Sequence, residues 1–153
     1  MKSTLRLLSL ASALTATLVL TVLTGFAQTK HPAYLHALTD MRIARAHLEK
    51  AMNNAKGLVP EAKAVQQLDE AIADIKKAGI DDGKDLNDHP PVDAKLDGAG
   101  LRHRAIELID KAHGDISKEE DNKFAQGLQQ RAMGHLDKAK GFVEEGLKEY
   151  HSK

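Results

Sequence analysis

From residue 32 onward, apolar side chains return every three or four positions, the period of an amphipathic helix. The spacing predicts a first helix over about 32–56, with Ala37, Met41, Ala44, Leu48, Ala51 and Ala55 on one stripe. Gly57 suits the position just past its end, and Pro60 suits the start of a second helix. That helix, about 60–79, carries Val65, Leu68, Ile72 and Ile75 in the 3-4-3 rhythm of a bundle seam. A third, about 101–118, has Leu101, Ala105, Leu108, Ile109, Ala112 and Ile116. A fourth, about 123–150, uses Phe124, Leu128, Ala132, Ala139, Phe142, Val143 and Leu147, with Asp121 or Asn122 available as its cap. Gly127, Gly134 and Gly141 recur within it. Glycine weakens a helix, so a regular row predicts close approach by a neighbouring helix.

Between the second and third helices stands GIDDGKDLNDHPPVDAKLDGAG, about 79–100. Its Asp, Gly and Pro make it a connection. At about 3.3 Å per residue it can run the whole length of a 20-residue helix, roughly 30 Å. It therefore permits either a crossover or a plain up-down arrangement. The expected fold is all-α, a four-helix bundle of two helical hairpins joined by this long Asp/Pro/Gly-rich connection.

The first 27 residues follow a different pattern. Lys2 and Arg6 precede an apolar run from Leu7 to Leu23, and Gly25-Phe26-Ala27 places small residues where signal peptidase reads. This is expected to be a signal peptide, cut after Ala27, leaving one domain over 28–153 and a periplasmic or secreted protein with no membrane association after cleavage. The alternative is an uncleaved anchor, for which the apolar run is marginal against a span of about 20 residues. The chain has no cysteine, so lipoprotein processing, disulfides, thiolate metal sites and CxxCH haem attachment are all excluded.

Composition narrows the function. Lys plus Arg and Asp plus Glu both number 22, no basic block occurs and aromatics are 3% of residues, so no nucleic-acid footprint is present. Only Ser117 and Ser152 are serines after residue 27, with no Gly-x-Ser-x-Gly and no phosphate-cradling glycine loop. The expectation is therefore not an enzyme.

The eight histidines all follow residue 30, and imidazole is the natural ligand for copper, nickel or zinc where cysteine is absent. His36 and Asp40, at i and i+4, could chelate one ion; His47 lies about 16 Å further along the axis and cannot join them. His103, Glu107 and Asp110 line one side of the third helix, a pattern that also describes a solvated face. Asp110-x-x-His113 has no second copy, which excludes a di-iron site. His135 lies within about 20° of the Phe124, Leu128 and Phe142 azimuth and is expected to face inward, as a hydrogen-bonded core histidine or as a ligand. Asp81, Asp82, Asp85, Asp88 and His89 of the connection could complete such a site, with Pro90-Pro91 holding His89 extended. DDGKDLND lacks the closing glutamate of a calcium loop. The candidate metal ligands are His135, His36, Asp40, His89 and His103. A ligand-free envelope structural or interaction bundle is the alternative, and a b-type haem bundle using Met41 and His135 a lesser one.

HLDKAKGFVEEG (135–146) resembles the small histidine-rich metal-binding helical proteins of the bacterial periplasm. His135, Leu136, Asp137, Ala139, Glu144, Glu145 and Gly146 carry the likeness, which spans about one helix and extends faintly to QLDEAIADIKKAG (67–79). It implies an exported bundle with His135 as a ligand. The chain departs from that pattern in having no histidine in the second helix. The first helix and the connection look like those of uncharacterised exported bacterial helical proteins.

Overall fold

The computed structural model describes residues 32–54, 59–78, 90–92, 95–118 and 123–152. All regular structure among them is helical: α1 (Pro32–Asn54), α2 (Val59–Lys77), α3 (Gly98–Ile116) and α4 (Lys123–His151). Each falls within three residues of the bounds that the periodicity predicts. The proposed signal peptide, Gly57, the acidic run 81–88, His89 and the Asp121/Asn122 cap lie outside the described residues.

The helix ends have local causes. Pro32 opens α1 and Pro60 sits in the first turn of α2, where a missing N–H costs no helical hydrogen bond. Asp97 caps α3, its carboxylate accepting from the Gly100 N–H at 2.6 Å. Lys76 and Lys77 close α2, and Lys148 and His151 close α4, placing positive charge at the negative end of each helix dipole.

α1 packs chiefly on α3 and α2 chiefly on α4, with smaller α1–α2 and α3–α4 interfaces; α2 and α3 do not pack on each other, nor do α1 and α4. The helices thus stand at the corners of a square, with α1/α4 and α2/α3 as its diagonals. Ion pairs fix their directions. Arg131 near the start of α4 meets Asp74 near the end of α2, and Lys111 in the second half of α3 meets Asp40 in the first half of α1. Every neighbouring pair is antiparallel. α2 and α3 run the same way, so the end of α2 and the start of α3 stand at opposite ends of the bundle.

One apolar core fills the square. Met41, Ala44 and Leu48 of α1, Leu68, Ile72 and Ile75 of α2, Leu108 and Ile109 of α3, and Ala132, Leu136, Ala139 and Val143 of α4 are buried within it. α1 also buries Arg42, Arg45 and His47 on its remaining sides. Arg45 donates to Asp69 of α2 at 2.7 Å, and the His47 Nδ1–H donates to the Ile43 carbonyl at 2.8 Å. None of the described helices is long and apolar enough to cross a membrane.

The glycine row of α4 overturns one expectation. Among the described residues, a Cβ placed at Gly127, Gly134 or Gly141 would meet nothing within 4 Å. Their seven-residue spacing drifts only about 20° per repeat, so they share one side of α4, and that side is not the packed one. The glycine that does meet a neighbour closely is Gly146, off the row, against the Glu61 carboxylate of α2.

Candidate functional site

His135 stands on α4 beside α2, one position before the buried Leu136. Leu128, Ala132, Leu136, Ala139 and Val143 occupy the seam itself, and the imidazole is 18% exposed on the flank rather than enclosed in the core. α2 presents three oxygen-bearing side chains to it, Gln67, Glu70 and Asp74, at i, i+3 and i+7 along one side of the helix. The Nδ1–H donates to Gln67 Oε1 at 2.9 Å, while Glu70 Oε2 lies 3.1 Å from the same nitrogen. Asp74 Oδ2 stands 3.9 Å from Nε2, beyond hydrogen-bond range.

Asp74 is already engaged. Arg131, one turn before His135 on α4, reaches both of its oxygens at 3.0 and 3.2 Å. The hydrogen bond to Asp74, reinforced by its charge, holds the Arg131 guanidinium pKa above its ordinary value. The node therefore comprises one imidazole, one amide, two carboxylates and one guanidinium.

The other expected ligands fall elsewhere. His36 and Asp40 line a cleft of about 330 Å³ between α1 and α3, together with Thr39, Lys111 and Asp115. The Lys111 ammonium lies 3.5 Å from Asp40, so a cation already faces that carboxylate. His103 is exposed on α3; of the residues expected beside it, Glu107 accepts from Arg104 at 2.7 Å and Asp110 accepts from Lys140 at 2.8 and 2.9 Å. His113 pairs with Asp137 across the α3–α4 interface at 3.6 Å. Met41 is fully enclosed in the apolar core, while the His135 ring turns to α2. The structure brings His36 to Asp40 and brings His135 to three α2 residues; it does not gather His36, His103 and His135 at one place. Among the described residues, no group of three or more His, Asp or Glu is arranged to hold a metal ion.

Gln67, Glu70 and Asp74 were not legible as partners of His135. QQLDEAIAD does put Gln67, Glu70 and Asp74 on one side of a helix, and that is the signal. Which helix this side faces is a tertiary matter. Compared with known protein families, curated proteins and solved structures, the chain matches none.

Proposed function

We propose that this chain is an exported helical bundle, periplasmic or secreted, built of two hairpins joined by its long Asp/Pro/Gly-rich connection, that binds a divalent transition metal without catalysing a reaction. Copper, nickel and zinc are the ions that suit the donors. His135 Nδ1 and Glu70 Oε2 are the ligands, with the Gln67 amide oxygen beside them.

The observation that carries this reading is that two side-chain oxygens converge on one ring nitrogen. A single Nδ1–H can be directed at only one of them. A cation can serve both. At the right angles of a tetragonal copper or nickel site, ligands about 2.1 Å from one ion stand about 3.0 Å apart, and at the tetrahedral angle of zinc about 3.4 Å; the two oxygens lie 2.9 and 3.1 Å from Nδ1. An ion serving both oxygens takes the place of the Nδ1 proton, so the bound imidazole carries its proton on Nε2. Two protein ligands and an amide leave further positions to water, which suits binding or transfer rather than a closed structural site.

A ligand-free structural or interaction bundle is the second reading. It is favoured by the cations already seated on two of the carboxylates, Arg131 on Asp74 and Lys111 on Asp40. Equilibrium dialysis of untagged protein against copper, nickel and zinc, with elemental analysis, distinguishes the two. The metal reading expects one bound ion that His135→Ala and Glu70→Ala each remove, and a melting temperature that rises with metal in the parent only. No bound metal, or stoichiometry unchanged in His135→Ala, overturns it. A Soret band in the purified protein would instead point to haem.

A further inference from the structure

At the end of the bundle where α1 finishes, the apolar seam is interrupted by charge. Glu61 stands three residues before Ala64 and seven before Leu68 in the buried row of α2. Arg102 stands three before Ala105 on α3, and Gly146 three after Val143 on α4. Both charged side chains are fully buried, and Arg102 Nε donates to Glu61 Oε1 at 2.6 Å. Arg102 Nη1 donates to the Gly98 carbonyl at 2.7 Å, and the Tyr150 ring covers the guanidinium at 4.9 Å. Room for the carboxylate exists because Gly146 has no Cβ; one built there would overlap it. Gly98 likewise leaves room for the Tyr150 ring. This pair joins α2 and α3, the two helices on a diagonal that otherwise do not pack on each other.

The pair is poorly suited to be a source of stability. Glu61 Oε2 and Arg102 Nη2 are buried with no hydrogen-bond partner among the described residues. Two desolvated charges that are incompletely satisfied commonly do no better than apolar side chains of the same volume. Their geometry suits choosing between folds. A polar layer in an apolar seam penalises every arrangement that separates its members.

We propose that the Glu61–Arg102 layer selects the observed helix directions over the plain up-down alternative. The long α2–α3 connection permits both. In the alternative, α3 enters at the opposite end and runs the other way. α3 is 19 residues long, about 28 Å. Reversing it in place carries Arg102 roughly 15 Å along the axis from Glu61, and two unpaired charges are left in the core. Helical periodicity is the same read in either direction, so the apolar rows of α3 do not by themselves penalise reversal, whereas separating the ionic pair does.

The test replaces both charges together, Glu61→Met with Arg102→Met, and reads helix direction by distance. The chain has no cysteine, so spin labels go cleanly onto Ala62→Cys and Lys118→Cys, both exposed positions. In the parent these sites lie at opposite ends of the bundle and give one long distance. The double-Met chain is expected to keep its helix content and a cooperative melt, and to gain a second population at a distance shorter by more than about 10 Å. A single long distance, identical to the parent's, overturns the proposal. So does loss of cooperative melting in the double-Met chain, which would make the pair a source of stability instead.

Discussion

At the scale of single residues, the demanding position is Gly146. Its backbone lies against the Glu61 carboxylate, and any side chain there must displace a buried charged group. Gly146→Ala is expected to cost about 1–3 kcal/mol, the range for overpacking a filled interior, and a urea unfolding curve would show it. Truncating a fully buried core residue such as Leu68, in Leu68→Ala, should cost about 2–5 kcal/mol by the same measurement. The two positions differ in how they could be read. Leu68 is legible because an apolar residue at helical spacing is its own signal. Gly146 resembles the other α4 glycines, and only the carboxylate opposite distinguishes it. His135 shows the same limit: its angle around the helix placed it near the seam, but its partners belong to α2.

For whole elements, the α4 glycines make a contrary prediction. Gly127 and Gly141 are exposed helical positions with open space where a Cβ would stand. Gly127→Ala and Gly141→Ala should each stabilise the protein by about 0.5–1 kcal/mol, because alanine gives up less backbone entropy on folding. They lie 14 residues apart, so the double variant should show the sum. No gain in either would mean that this side of α4 is covered by something in solution. α3 offers the opposite case: Asp97→Ala removes the acceptor for the Gly100 N–H and should lose about 1 kcal/mol. Helix existence and extent were readable at this scale because period, proline and caps are local. The direction in which each helix runs was not.

For the molecule as a whole, surface charge joins the helices. The hydrogen bond from Lys140 to Asp110, across α3 and α4, holds the ammonium pKa above its ordinary 10.5. A raised pKa in the folded state means that the pair's contribution is complete below the ordinary value and fades as pH rises through the folded one. The difference in urea midpoint between the parent and Lys140→Met should therefore be constant through neutral pH and close only above pH 10.5. A gap that closed near neutrality would mean another group controls this interface. Both partners are substantially exposed, so the gap should also shrink with added salt.

What the sequence alone determined is what depends on near neighbours along the chain: four helices, their bounds, their apolar stripes, and the absence of thiol chemistry. Each rests on spacing or composition, and neither requires knowing what lies opposite. The tertiary structure decided the rest. It set which helices share a diagonal, gave His135 its Gln67 and Glu70 neighbours, put Lys111 beside Asp40, and seated Glu61 against the bare backbone of Gly146. Those are meetings between residues up to 85 positions apart, and helical periodicity carries no information about which stripe faces which. A long connection leaves that choice open, and long-range packing together with the buried charges makes it.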